Sequence, residues 1–313
     1  VNDQENNYGP GESGSHENSH SEVDSMDNDS SLIYFRPKRF KPVVLPLFLE
    51  GPARAFKVIS KENAKDLYQK IRESGLFDRK LNMYKVNASL ESQPQDIGRA
   101  RAFPPGWLEN ESIWLHMEYK YLLAVLKAGL FESFFKDFKN TLVPFLDPEM
   151  YKRSPLENSS FLVSSAHPDQ TIHGAGFVAR LSGSTAEFLS IWSILMAGKQ
   201  PFSYNKNNLL FKLEPILPGW LFTEDGKVSF KFLDSCIITY HNPDRLNTYT
   251  GEVNFQKYIL QYKNKKIVEI EERTLGAPFA GDIRDGKIIR IDVFFKTKDR
   301  GLRESAPTAI KKH

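Results

Sequence analysis

The spacing of apolar residues changes about two thirds of the way along the chain. Before residue 200, apolar side chains recur at every third or fourth position in several segments, which predicts amphipathic helices. Each segment ends close to a glycine or a proline, the residues that commonly terminate helices. The predicted helices cover residues 61–74, 111–128, 131–142 and 185–197.

After residue 205 the apolar pattern alternates with a period of two, which predicts strands separated by short turns. The predicted strands cover residues 228–232, 236–240, 257–262, 267–270 and 288–295. Helices that are followed by strands, instead of alternating with them, favour a helical region and then an antiparallel β domain.

The first 31 residues are polar and acidic, with eight Asp or Glu and no Lys or Arg. Such a segment buries too little apolar surface to offset its ordering entropy, so residues 1–32 are predicted to be a disordered acidic linker. The chain begins with valine inside this tract, which suggests a linker cut from something longer, with a trimmed N-terminus as the alternative. The predicted domains are then a helical region at 33–203 and a β domain at 204–313.

Composition limits the class of protein. The net charge is +3, and Lys and Arg are spread along the chain instead of forming a block, which argues against a nucleic-acid partner and suits an anionic substrate. One cysteine, Cys236, excludes an internal disulfide and favours a reducing compartment. The chain has no apolar run of membrane-spanning length and no signal-peptide core, so a cytoplasmic protein without a membrane partner is predicted.

Small polar residues mark the start of the last predicted helix, in the segment Arg180-Leu-Ser-Gly-Ser-Thr-Ala-Glu. If Ser184 is the N-cap, Glu187 completes a capping box, and free backbone N–H groups point toward Ser182 and Gly183. Glycine lets an anion approach the backbone closely, and the helix dipole favours negative charge there. The segment therefore predicts an anion site, with a plain capped helix start as the alternative.

A second polar segment, Pro104-Pro-Gly-Trp-Leu-Glu-Asn-Glu-Ser-Ile-Trp-Leu-His, leads into the 111–128 helix. Its two prolines and glycine predict a rigid turn, which places Glu109 and Asn110 at the lip of the helix. His116 follows about one turn inside. An imidazole that faces a pocket can donate to phosphate, and a hydrogen-bonded core histidine is the alternative.

A loop bracketed by His167 and His173 lies just before the predicted anion site. It contains an aspartate and is followed by two glycines, so it could close over a ligand. A zinc site needs more ligands at tighter spacing, and no metal site is predicted.

The two polar segments, in this order, resemble the C-terminal half of the inverting glycoside phosphorylases, the group of cellobiose, chitobiose and laminaribiose phosphorylases with related β-glucan phosphorylases. The resemblance spans roughly residues 33–295. It implies a mainly α plus β chain, in which part of an (α/α)6 catalytic barrel is followed by an antiparallel β-sandwich.

The resemblance also implies roles for individual residues. His116, Ser182 and Gly183 match the family's phosphate-contacting positions, with Arg180 as a weaker support for the anion. Glu109 matches a glutamate of the family that lies near the sugar. Trp107, Asn110 and His173 are expected to bind the same sugar substrate. The implied ligands are a β-linked oligosaccharide and inorganic phosphate, which acts as co-substrate, and no cofactor is expected.

One part of the family pattern is missing. The family's general acid is an aspartate in an Asp-Trp-Asn-Asp-like stretch, which this sequence lacks and which is expected upstream. We therefore expect a fragment of a phosphorylase that is inactive alone. Because an incomplete barrel would expose apolar helix faces that its missing neighbours normally bury, this fragment is expected to associate with itself or with an N-terminal companion chain. The alternatives are an inverting glycoside hydrolase on the same barrel and a non-catalytic carbohydrate-binding or structural partner.

Overall fold

The computed structural model of the protein describes residues 23–26, 34–40, 44–179 and 183–298. Its contacts divide the chain at residue 45 into two compact units. In the first unit, β1 (Val23–Met26) pairs antiparallel with β2 (Tyr34–Pro37). The rest of the predicted linker at 1–32 lies outside the described residues. The second unit holds every other element, and the boundary expected at residue 203 stays a prediction.

The second unit contains seven α-helices among the residues that the structure describes. They are α1 (Glu50–Ala55), α2 (Lys61–Glu73), α3 (Leu115–Lys127), α4 (Phe131–Thr141), α5 (Pro148–Tyr151), α6 (Gly183–Ala197) and α7 (Phe279–Arg284). The four helices predicted from apolar spacing correspond to α2, α3, α4 and α6. No helix in the described part of the chain has the length and apolar character needed to cross a membrane.

The helices are interrupted by short strands that the sequence reading did not predict. These strands are β3 (Phe77–Asp78), β4 (Met83–Tyr84), β5 (Ile113–Trp114), β6 (Ser159–Leu162) and β7 (Gly176–Ala179). The first two form a hairpin, and the other three form an antiparallel sheet in the order β5-β6-β7. Because β5 occupies residues 113–114, helix α3 begins at Leu115 instead of Glu111.

Helix α3 lies at the centre of the helical region. It packs against α1, α4 and α6, and most of its residues are buried. Because α3 is apolar on nearly every side, it is stable in water only when neighbouring elements cover nearly all of its surface. The exceptions are polar residues that reach the surface, and two of them, His116 and Lys120, are only partly buried.

The remaining strands are β8 (Phe202–Asn205), β9 (Asn208–Phe211), β10 (Lys227–Phe232), β11 (Cys236–His241), β12 (Val253–Tyr262), β13 (Ile267–Ile270) and β14 (Ile288–Thr297). β8 and β9 form a hairpin, and the others form one sheet in the order β10-β11-β14-β12-β13. β11 and β14 run parallel, whereas the other neighbours are antiparallel. The sheet is therefore mixed.

This architecture contradicts the predicted fold class. In the described residues the longer helices do not form an (α/α)6 barrel, since strands lie between α2 and α3 and again between α4 and α6. The C-terminal region is a single five-stranded mixed sheet with a helix on its β13–β14 connection, not an antiparallel β-sandwich. Apolar spacing located the helices, but it does not determine how they are arranged around one another.

A buried polar cluster joins α2, β4 and α4. The hydroxyl groups of Tyr84 and Tyr68 both donate to Oδ2 of Asp137, at 2.6 and 2.9 Å. Arg72 Nη1 donates to Oδ1 of the same carboxylate at 2.5 Å. Burial raises the pKa of Asp137 despite these donors. The three donors satisfy this buried carboxylate, so Asp137 acts as a structural cross-link between α4 and the residues of α2 and β4.

Glu118, on α3, lies beside this cluster and is fully buried. Its Oε1 accepts from the backbone N–H of Tyr84 at 2.8 Å and from the Thr141 hydroxyl at 3.4 Å. Its Oε2 has no hydrogen-bond partner among the described residues. Burial raises the pKa of Glu118 well above its ordinary value, so the protonated carboxyl is favoured in the folded protein.

Candidate anion and sugar site

The two polar segments meet at the N-terminal ends of α3 and α6. His116 is the second residue of α3, and Gly183 is the first residue of α6. The imidazole of His116 lies against the α-carbon of Gly183, because a methyl group placed there would be 2.4 Å from Cε1 and 2.5 Å from both ring nitrogens. Residue 183 must therefore be glycine for His116 to keep this position.

Glu187 is the partner of His116 at this junction. Its Oε1 lies 3.6 Å from His116 Nε2, and the two side chains are 20% and 37% exposed. The predicted capping box is wrong, because Ser184 lies inside α6 and is buried. Instead of closing a cap, the Glu187 carboxylate faces the His116 imidazole across the junction. The two groups can form an ion pair when the imidazole is protonated.

The junction has the features of an anion site. The N-terminus of α6 carries the positive end of the helix dipole, which favours negative charge. His116 adds an imidazole that is partly exposed. Of the other residues predicted to contact phosphate, Arg180 and Ser182 lie outside the described residues, so the structure positions His116 and Gly183 alone.

The turn that precedes β5 is fixed by close packing. Gly106 has a φ of +79°, and a methyl group on it would lie 2.6 Å from the backbone nitrogen of His167. The carbonyl of Gly106 accepts from Ser164 N–H at 3.3 Å. The loop around His167 and the Pro-Pro-Gly turn therefore hold each other in place.

Trp107 belongs to an aromatic group on the three-stranded sheet. Its ring centroid is 4.6 Å from Phe177 and 5.2 Å from Phe161, both at edge-on angles. Phe161 also stacks on Trp114, with centroids 5.8 Å apart. These contacts use part of the Trp107 ring for packing, and they place the ring beside the turn that carries Glu109 and Asn110.

Glu109 and Asn110 each leave one buried oxygen without a hydrogen-bond partner among the described residues, Oε2 and Oδ1 respectively. The other polar atoms of both side chains are engaged: Glu109 Oε1 accepts from Arg99, and Asn110 Nδ2 donates to Phe103 O at 2.7 Å. A buried acceptor without a donor is unfavourable by about 1–3 kcal/mol. Two such acceptors on adjacent residues would be satisfied by hydroxyl groups of a ligand.

His173 has both ring nitrogens in hydrogen bonds. Lys80 Nζ lies 2.8 Å from Nδ1, and His167 O lies 2.8 Å from Nε2. Since the ammonium donates and the carbonyl accepts, the proton of the neutral ring is on Nε2. His173 therefore fastens its loop to the β3–β4 turn, and this contact leaves neither nitrogen free for a sugar.

Nearby, Asp78 fixes the other end of the same loop. Its carboxylate accepts from the backbone N–H of Ser165 at 2.6 Å and from the Ser165 hydroxyl at 2.8 Å.

Sequence reasoning missed Asp78, Lys80, Arg99 and the role of Glu187. Asp78 and Lys80 contact residues that are 87 and 93 positions away in sequence, and no local motif marks either of them.

The residues of the candidate site that the structure describes thus form two groups. His116, Gly183 and Glu187 are at the helix junction, whereas Trp107, Glu109 and Asn110 are on the turn before β5. The two residues of β5 lie between the groups in sequence and connect them. His173 lies with the second group through its bond to His167.

The described residues contain no group of three or more His, Cys, Asp or Glu side chains that could hold a metal ion. Comparison with known proteins found no match to any protein-family model and none to any curated protein.

Proposed function

We propose that this chain takes part in phosphorolysis of β-glucosides or β-glucans, as part of an inverting glycoside phosphorylase that forms a sugar 1-phosphate. The observation that carries the proposal is the contact of the His116 imidazole with Gly183 at the start of α6. Two segments that resemble the family's phosphate-binding motifs are distant in sequence and adjacent in space.

The junction supports the phosphate half of the reaction. Phosphate would lie between the imidazole of His116 and the N–H groups of the first turn of α6, where the helix dipole favours its charge. Donors fixed before the reaction hold the attacking oxygen in line with the glycosidic bond at little entropic cost. Glu187 would orient the imidazole from the opposite side.

The turn before β5 supports the sugar half. Glu109 Oε2 and Asn110 Oδ1 are buried acceptors that lack donors, and sugar hydroxyl groups supply donors. Their adjacency suits neighbouring hydroxyls on one pyranose ring. Trp107 would then border the ring from the aromatic group.

Inverting phosphorolysis also needs a carboxylic acid that protonates the glycosidic oxygen. Glu187 is turned toward His116, and Glu109 is held by Arg99. We propose that the acid comes from residues outside this chain, and that the chain alone does not turn over substrate.

We propose a cytoplasmic location for the protein, and the single cysteine, which is buried and forms no disulfide, supports this proposal. Association with a second copy or a companion chain was expected because an incomplete barrel exposes apolar helix faces. The described residues do not form part of such a barrel, so this reason for association no longer applies. β-Linked oligosaccharide and phosphate remain the proposed ligands.

The proposal is tested by titrating inorganic phosphate into the unmodified chain and into His116→Gln and measuring the heat of binding by calorimetry. We expect saturable binding that weakens about tenfold in the variant, because a bond to a charged group is lost. Equal phosphate affinity in the two proteins would exclude His116 from the site.

Activity is tested separately, as phosphate release from glucose 1-phosphate with glucose or short β-glucans as acceptors. The chain alone should be inactive, and a chain extended at its N-terminus should be active. Turnover by the chain alone would contradict an external acid. Activity in neither protein would favour a carbohydrate-binding partner, and sugar release without phosphate would favour a hydrolase.

A further inference from the structure

A cavity of about 350 Å³ lies between α3 and the C-terminal end of α1, and it reaches α6 at Glu187. Its floor is apolar and consists of Phe56, Leu123 and Ala124. Its remaining lining residues are all charged. They are Arg54, Lys57, Lys120, Lys127 and Glu187.

Two of the cations come from α3. Lys120 and Lys127 are seven residues apart, two helical turns, so their α-carbons are separated by about 10 Å along the helix axis. Arg54 and Lys57 come from the end of α1 and the turn that follows. Cations therefore stand on both sides of an apolar floor.

Few acids compensate this charge. Glu50 accepts from Arg54 at 2.7 Å and lies 3.6 Å from Lys120 Nζ, so one carboxylate serves two cations. Lys57 and Lys127 form no ion pair with any residue in the described part of the chain. A further cation approaches here, since Lys199 Nζ donates to the carbonyl of Lys127 at 2.5 Å.

We propose that this cavity binds a small phosphate ester with two or more negative charges. Its phosphate groups would pair with the lysines of α3 and with Arg54 or Lys57, which offsets the repulsion among them. The carbon skeleton of the ester would lie on Phe56 and Leu123. Glu187, at the far end, would accept from a hydroxyl group.

The dimensions favour a small ligand over a nucleic acid. Pockets for small molecules commonly enclose about 300–1,000 Å³, and this cavity is within that range. Nucleic-acid sites place cations along an extended stripe, whereas these four surround one cavity. The site is separate from the phosphate site at His116, although Glu187 borders both.

The test uses inorganic pyrophosphate and a hexose bisphosphate as probes, titrated into the whole chain at physiological salt. The variant Lys120→Gln/Lys127→Gln removes the cations of α3. The matched control, Lys70→Gln/Lys263→Gln, removes the same charge from two exposed positions away from the cavity. Thermal unfolding of each variant shows that it is folded.

We expect both probes to bind the unmodified chain and the control equally. Loss of the two lysines should weaken binding about tenfold or more, because charge-assisted bonds are removed. His116→Gln should bind pyrophosphate as the unmodified chain does, so this site can fail independently of the phosphate site proposed above.

Four outcomes would overturn the proposal. They are the absence of saturable binding, an unchanged affinity in Lys120→Gln/Lys127→Gln, an equal loss in the control, and a loss confined to His116→Gln. A further titration uses a short single-stranded RNA as the probe. Tighter binding of the RNA than of the bisphosphate, with the same dependence on Lys120 and Lys127, would replace the small ligand by a nucleic acid.

Discussion

The backbone N–H of Tyr84 donates to Glu118 at 2.8 Å, while the hydroxyl of the same tyrosine donates to Asp137 at 2.6 Å. Tyr84 thereby connects two buried carboxyl groups on two helices, α3 and α4. These helices carry the junction with α6 on one side and the buried cluster on the other. Tyr84 thus ties α3, which carries His116, to α4 through bonds in the protein interior.

Replacing Tyr84 by Phe should lower the free energy of unfolding by about 1.5–3 kcal/mol, since a hydrogen bond to a charged group is lost in the interior. The measurement is urea unfolding. The control is Tyr204→Phe, because Tyr204 is 70% exposed. Equal stability of Tyr84→Phe and the unmodified protein would show that Asp137 does not depend on this donor.

Glu118→Gln should change how stability depends on pH. Burial raises the pKa of Glu118 in the folded protein well above its ordinary value of 4.5. Above that pH the unfolded chain loses this proton and the folded chain keeps it, so stability falls as pH rises until the raised folded pKa is reached. Glutamine has no such proton. Relative to the unmodified protein, the free energy of unfolding of Glu118→Gln should therefore rise by up to about 1.4 kcal/mol for each pH unit above 4.5.

Urea unfolding of both proteins between about pH 4 and 7 measures this difference. Asp137, whose charge helps to raise the pKa of Glu118, is present in both proteins. A stability difference that stays constant across the range would mean that Glu118 has an ordinary pKa.

Gly183→Ala should abolish phosphate binding at the helix junction, because the new methyl group would occupy the position of the His116 ring. Gly281→Ala, on α7, is a matched control, since a methyl group there meets no atom within 4 Å. We expect the control to bind phosphate normally. Binding retained in Gly183→Ala would show that the contact of His116 with residue 183 is not part of the site.

Glu109→Ala should weaken glucose binding several-fold while lowering stability by less than about 1 kcal/mol. The reason is that the variant removes a buried oxygen without a donor, which is itself unfavourable. Saturation-transfer NMR with glucose measures binding, and Glu91→Ala serves as an exposed control. A large loss of stability with unchanged glucose binding would assign Glu109 a structural role through Arg99.

Local sequence signals predicted those features that depend on neighbouring residues. Apolar spacing located α2, α3, α4 and α6. The strands of the three-stranded sheet are two to four residues long, too short for an alternating pattern to be recognised. The parallel pairing of β11 with β14 depends on contacts between distant segments, which periodicity does not encode.

For the candidate site, the structure shows where the residues lie and not whether they bind a ligand. The resemblance placed His116 with Gly183, and the structure brings them together. Glu187 was assigned to a cap because its spacing from Ser184 fits one, but the side chain faces an imidazole on another helix. His173 was predicted to contact substrate, whereas it is bonded to Lys80, which is 93 positions away in sequence.

The last strand in the described part of the chain, β14, occupies the middle of the large sheet. β10 with β11 and β12 with β13 are two hairpins, and β14 alone lies between them. During synthesis on a ribosome, both hairpins leave the exit tunnel before residues 288–297 do, so each waits with an open edge. The sheet closes only when β14 emerges and buries Ile291 and Val293. A nascent chain, or one clipped just before residue 288, would leave the edges of β11 and β12 unpaired. Unpaired strand edges can pair with other chains, and the addition of β14 would cover both of them.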